Sequence, residues 1–259
     1  MLHFHVCRFQ LIFCVRGSVL LVYEDQGQPF WLRAGDCVLQ PPGIRHKVLE
    51  TAQGGVEVLE VGSPAEHLTV QDLEMTLPTQ TVDAERQWAQ EYDGAPQKFV
   101  RHNAAAEGVV WSPHPGLAGW EFRDSGIAAA TKQLGSCIVS RQKTGGEAEE
   151  DAAGAAGDGA AGDGAAGAAE PVMLKHDGEL VLWFVLRGEC TLQLQLQQQQ
   201  QEQEQAQGAA AVAEVLRESE SIVLPAGCGV AVAKSSAEFE MVEVLVGTAG
   251  ADVQWSIIS

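Results

Sequence analysis

The chain is short of cations: 16 Lys and Arg stand against 35 Asp and Glu, for a net charge of −19 over 259 residues. Phosphate contacts draw their affinity from clustered Lys and Arg, and the sequence has no basic stripe, so nucleic acid is excluded as an expected partner. No window approaches 18 continuous apolar residues, so no membrane span is expected either. Cys7, Cys14, Cys37, Cys137, Cys190 and Cys228 form no CxxC pair. Four of them lie in apolar, strand-like runs where a thiol packs as a small hydrophobe, and all are read as reduced, with disulfides the minority alternative. Met1 to Arg8 is not a signal peptide, because histidines interrupt it before any apolar stretch. A cytoplasmic protein is the expectation, with an organellar address left open.

Helical periodicity is also scarce, and one helix is expected, around Val82 to Glu91. What replaces it is β-type patterning: short alternating or apolar runs closed by turn residues, drawn from a composition 46% hydrophobic with 28 Gly and 10 Pro. Leu11 to Val15, Ser18 to Tyr23, Phe30 to Arg33, Cys37 to Gln40, Val56 to Val61, Ser136 to Ser140, Leu180 to Leu186, Ser221 to Leu224 and Glu240 to Val246 read as strands of a sandwich or barrel. Two low-complexity segments interrupt them. The Ala, Gly and acid-rich tract at 144–171 and the Gln-rich tract at 197–212 are expected to be disordered inserts, since neither can bury enough apolar surface to offset chain entropy. Together they hold about half of the excess negative charge.

An internal repeat organises the rest. Phe13-Cys14-Val15-Arg16-Gly17 reappears as Phe184-Val185-Leu186-Arg187-Gly188, and Val38-Leu39-Gln40-Pro41-Pro42-Gly43 as Ile222-Val223-Leu224-Pro225-Ala226-Gly227. The spacing between the blocks is 13 residues longer in the second copy, about the length of the Gln-rich tract. Further on, Glu57-Val58-Leu59-Glu60-Val61 is aligned with Glu243-Val244-Leu245-Val246-Gly247. A duplicated β domain is the economical account.

The first copy carries the chemistry. It reads His3-x-His5, four residues, Gln10, six residues, Gly17, then Gly35, five residues, Pro41-x-Gly43, two residues, His46. Residues two apart on a strand face the same way, so His3 and His5 share a face, and His46 follows a Pro-x-Gly turn that ends one strand at the barrel mouth. This pattern resembles the two signature motifs of the cupin superfamily over Met1 to about Ser63. The second motif matches in full; the first lacks its leading Gly and has Gln10 where the family has Glu.

The resemblance implies an all-β chain of two tandem cupin barrels, of the double-stranded β-helix or jelly-roll type. The expected division is an N-terminal barrel at 1–75, a connector at 76–97 that holds the helix, and a degenerate C-terminal barrel at 98–259. It also implies that His3, His5, Gln10 and His46 hold a divalent transition metal, Fe(II), Mn(II), Ni(II) or Zn(II). Gln10 would supply a neutral amide oxygen, leaving the ion less tightly bound and more Lewis acidic. A cupin barrel has strands before its HxH motif, so the expectation is either a gap or an exposed sheet edge beside His3, or missing strands lent by the other domain or a partner subunit.

Other residues carry less. In the repeat His176 matches His5, whereas Leu174, Val181 and Val230 replace the other ligands, so the second barrel is read as structural, a homodimer surface or an apolar pocket. His67, His102 and His114 are read as connector or turn residues, Arg16, Arg187 and Arg45 as solvated or ion-paired turn residues ahead of binders of an anionic substrate, Asp36 and Glu179 as turn caps ahead of proton-transfer groups. Trp111, Trp120 and Trp183 are read as core. Two functions stay open: a dioxygenase-like or isomerase-like metal enzyme on a small molecule, and a non-catalytic binding or sensing module. A storage-type two-barrel protein is weaker, because the first site keeps its histidines.

Overall fold

A computed structural model describes residues 1–88, 96–143, 171–195, 212–248, 250–251 and 253–258. The acidic tract and the Gln-rich tract lie outside the described residues almost entirely, as do residues 89–91 of the expected helix. The N-terminal half supplies β1 (His3–Val6), β2 (Phe9–Tyr23), β3 (Phe30–Arg33), β4 (Cys37–Leu39), β5 (His46–Ser63) and β6 (Leu68–Gln71). Then come β7 (Gln87–Trp88), β8 (Gln97–Lys98) and β9 (Val100–His102). The C-terminal half contains β10 (Ser112–Pro113), β11 (Trp120–Asp124), α1 (Ile127–Ala130), β12 (Gly135–Gln142), β13 (Leu174–His176) and β14 (Leu180–Arg187). It ends with β15 (Glu189–Gln195), β16 (Val212–Arg217), β17 (Ser221–Pro225), β18 (Gly229–Ser235), β19 (Glu240–Val246) and β20 (Trp255–Ile257).

The first barrel is one strongly bent sheet in the order β6-β1-β5-β2-β4-β9, with β3 paired to β2. The second is built from two sheets, β10-β11-β12-β19-β14-β17 and β16-β15-β18-β13-β20. All pairings are antiparallel.

Register confirms the duplication in detail. His3 pairs with His46 in the first barrel and Leu174 with Val230 in the second. A bulge falls between Cys14 and Arg16 in one copy and between Val185 and Arg187 in the other. Gly17 and Gly188 share a φ of +71°. One part of the sequence alignment shifts. Ile12 pairs with Glu60 and Trp183 with Glu243, while Arg16 pairs with Glu57 and Arg187 with Glu240. Glu60 is therefore the counterpart of Glu243, three residues from the alignment drawn on the Glu-Val-Leu string, because ladder pairing rather than local likeness fixes register.

Strand alternation sorts the core. On β2, Phe9, Leu11 and Phe13 face outward into a cluster shared with Cys137, Val139, Val242 and Val244 of the second barrel, whereas Ile12 and Cys14 face the interior of their own. On β14, Trp183 and Val185 face the second barrel's interior, and Leu182 and Phe184 face the shared cluster. Sheets from the two halves thus pack face to face, and β2 and β14 are apolar on both sides.

Two expectations change here. The connector helix does not form over the described residues from Val82 onward; Gln87–Trp88 pairs with Gln97–Lys98. Arg86 there binds both Glu24 and Asp25, and the Asp83 N–H donates to the Asp25 carbonyl, so contacts with the first barrel outweigh local helical preference. The exposed edge is also not beside His3, because β6 pairs with β1 along its length and takes the edge position itself. No helix among the described residues is long and apolar enough to cross a membrane.

Candidate metal centre

β1 is held between β6 and the start of β5, which sets His3 opposite both Gln71 and His46, and His5 opposite Thr69. The Pro41 to Gly43 turn is tied to β1 by the Gly43 N–H, which donates to the His5 carbonyl at 2.9 Å. That turn needs Gly43 at φ +79°, a conformation few other residues adopt. It delivers His46 to the face carrying His3 and His5. The three residues each offer a ring nitrogen, all within 4.8 Å of one another. Ring centroids lie 4.3 Å apart for His3 and His46, 5.0 Å for His3 and His5, and 5.3 Å for His5 and His46.

The second nitrogen of each ring is already occupied. His3 Nδ1 lies 3.0 Å from the Met1 carbonyl and His46 Nδ1 lies 3.1 Å from the Ile44 carbonyl. A carbonyl only accepts, so both rings carry their proton on Nδ1 and leave a lone pair on Nε2. His5 Nδ1 bonds Thr69 Oγ1 at 3.0 Å, which again leaves Nε2. Anchoring one ring nitrogen while the other is offered is how proteins orient imidazole ligands, so the donor set fits a divalent transition ion.

Electrostatics favour the neutral, ligating form. His46 is depressed to about 3, chiefly by burial, with the Ile44 hydrogen bond opposing and His3 and His5 adding smaller decreases. His5 is lowered by burial, then by His3 and His67, with Glu60 acting in the opposite sense. One wall is aromatic: Tyr23 stacks on His46 at 5.4 Å and contacts Phe99 at 4.8 Å. The Tyr23 hydroxyl accepts a hydrogen bond from Gln40 Nε2 at 2.9 Å, and burial raises its pKa.

Gln10 lies on β2, 1% exposed, and its Nε2 donates to Glu60 Oε1 at 2.7 Å. Reading motifs alone misses Glu60 and His67. Glu60 stands across from Ile12, on the face that carries Gln10, and its signal in the sequence is the Glu-x-x-Glu spacing shared by Glu57/Glu60 and Glu240/Glu243. His67, expected to be a plain connector residue, packs edge-on against His5 at 5.3 Å and holds the Pro64 carbonyl through Nδ1.

The second barrel repeats the frame without the ligands. Leu174 and Val230 occupy the His3 and His46 positions, and His176 spends Nε2 on the Leu224 carbonyl at 3.1 Å. In place of a histidine cluster it holds Glu243, bonded by Trp183 Nε1 at 2.6 Å. His114 is a turn residue, its Nδ1 accepting from the Gly116 and Leu117 N–H groups. Asp36 caps turns through Arg33 and Ala104, Glu179 pairs with Arg8, and Arg45 pairs with Asp72 and Glu24.

No family model and no curated protein matches this sequence. Solved structures match it over essentially its whole length. Procruciferin, an 11S globulin from Brassica napus, superposes with a TM-score of 0.59 at 9% identity, covering 100% of this chain and 76% of that one. Salicylate 1,2-dioxygenase from Pseudaminobacter salicylatoxidans gives 0.56 at 13% identity, covering 99% and 70%. Oxalate decarboxylase from Bacillus subtilis, with Mn(II) centres, gives 0.54 at 12% identity, covering 99% and 67%. All three are two-barrel cupins, and the fold of this chain is the cupin fold. It is present here twice in tandem, with a histidine cluster in the first barrel alone among the described residues.

Proposed function

We infer that the chain is a metal-binding two-barrel cupin that acts on a small molecule at the N-terminal barrel, as a dioxygenase-like or isomerase-like enzyme. The observation that carries this reading is the convergence of His3, His5 and His46 with Nδ1 of each already bonded. A divalent ion such as Fe(II), Mn(II), Ni(II) or Zn(II) would supply Lewis acidity and open positions for a substrate oxygen or O₂. The three imidazoles would hold it through Nε2. With its Nε2 committed to Glu60, Gln10 has Oε1 left as the fourth donor. The Glu60 carboxylate polarises that amide and supplies the negative charge that Gln10 lacks, from one position further out. Glu60 also stands near enough to His5 to act on its charge, which makes it the group best placed to take or return a proton. The stacked Tyr23 and Phe99 keep water from the His46 side.

A second reading, a non-catalytic binding or sensing module, draws on the loss of every ligand but His176 in the second barrel. Elemental analysis of the purified full chain, followed by His46→Ala, separates the two. The enzyme reading expects one equivalent of a redox-active metal, lost in the variant together with turnover. Metal bound without any turnover on oxidisable organic acids favours the binding module with a structural ion, and no bound metal in the unmutated protein overturns the enzyme reading in favour of a binding module without one.

A further inference from the structure

Between the two barrels lies a cavity of about 610 Å³ whose walls come from both repeats. Arg16 and Arg187, the residues before the two φ +71° glycines, both reach it because the duplicated turn carries each to the barrel junction. Arg123 joins them from β11. Phe13, Val15 and Leu186 give the cavity an apolar side.

The three cations are not equally engaged. Arg16 is neutralised by Glu57 at 3.5 Å and Glu218 at 3.1 Å. Arg187 has no ion pair among the described residues, even though Glu240, also in the cavity wall, is its cross-strand neighbour. Arg123 gives one Nη2 hydrogen bond to the Gly35 carbonyl at 3.3 Å, while its buried Nε has no partner. The Arg187 and Arg123 guanidinium groups that line the cavity offer N–H donors to an oxyanion, and such charge-assisted bonds are the strong ones. Such a spot is out of character in a molecule of net charge −19.

We propose that this cavity is a second ligand site, for a small organic anion whose oxyanion head is held by Arg187 and Arg123 and whose apolar body lies on Phe13, Val15 and Leu186. The volume falls within the roughly 300–1,000 Å³ range of small-molecule sites. A planar guanidinium fork matches either a carboxylate or a phosphate, and the apolar wall selects an organic anion over an inorganic one. The histidine cluster takes no part, so the site stands or falls independently of metal binding.

The test is isothermal titration of the full chain, stripped of metal with a chelator, with benzoate, phenyl phosphate and inorganic phosphate. The expected result is binding of benzoate or phenyl phosphate at least tenfold tighter than inorganic phosphate, the better of the two identifying the head group. Arg187→Gln, at an exposed position that leaves folding intact, weakens that binding tenfold or more, and His46→Ala leaves it unchanged. Failure of both organic anions to bind, equal affinity in Arg187→Gln, or loss of binding in His46→Ala overturns the proposal.

Discussion

Trp183 donates its indole N–H to Glu243 at 2.6 Å inside the second barrel, and among the described residues this is the carboxylate's one hydrogen bond, in an otherwise apolar setting. Burial pushes Glu243 up to about 7, with the Trp183 bond pulling the other way. The folded state therefore keeps a proton on Glu243 where the unfolded chain, at about 4.3, has released it. Its contribution to stability is present below that unfolded value and is lost as pH rises through about 7, by an amount on the order of 3 kcal/mol. Glu243→Gln keeps the hydrogen bond without the titration. Denaturant melts from pH 4 to 8 are expected to show this variant losing less stability than the parent as pH rises.

Gln10 and Glu60 form a coupled pair, so placing the glutamate of the cupin motif at position 10 alone should not tighten metal binding. Gln10→Glu places a second carboxylate against Glu60, and two acids 2.7 Å apart would share a proton rather than present a free anion. Gln10→Glu with Glu60→Gln reverses the pair and puts the charge on position 10. Competition titration with Zn(II) is expected to show the double variant binding at least tenfold tighter than Gln10→Glu alone. Equal affinities would show that Glu60 does not act through Gln10.

Gly135 sits where the two barrels touch, and a Cβ there would overlap the ring of Phe9. Phe9 is fully buried in the shared cluster and has little room to withdraw. Gly135→Ala should cost about 1–3 kcal/mol, the usual toll of overpacking. Thermal melts check it, and Phe9→Leu in the same chain should recover part of the loss.

Gly17 and Gly188 test the duplication from the backbone side. At φ +71° an added Cβ would run into the Gly55 carbonyl at the first and the Ser236 hydroxyl at the second. Backbone oxygen cannot rotate aside, whereas a serine hydroxyl can. Gly17→Ala is therefore expected to lower the melting temperature more than Gly188→Ala, with both destabilised by at least about 1 kcal/mol from the positive φ.

Much of this was legible in residues alone. Phe30 to Arg33 and Glu240 to Val246 form strands with the bounds read from the sequence, and the His3, His5 and His46 spacing meets in space as their motif implies. The helix at Val82 failed because the ion pairs of Arg86 with Glu24 and Asp25 bridge sixty positions of chain, beyond any local window. The Glu-x-x-Glu spacing marks Glu60 but not its partner, for a related reason. Glu60 reaches Gln10 only through the β2–β5 ladder, whose bulges shift the pairing by a count that no single strand encodes. His67 needed the same three-dimensional information.

From Phe9 to Cys14, β2 has no face turned to water: Ile12 and Cys14 line one interior while Phe9, Leu11 and Phe13 press on the neighbouring barrel. The strand bearing Gln10 is consequently braced from behind by residues of a domain that has Leu174 and Val230 where the first has His3 and His46. Amputating the second barrel would leave that apolar back bare, so the second barrel acts as a buttress for the first, and substitutions at Val242 or Val244 should be felt at histidines they never touch.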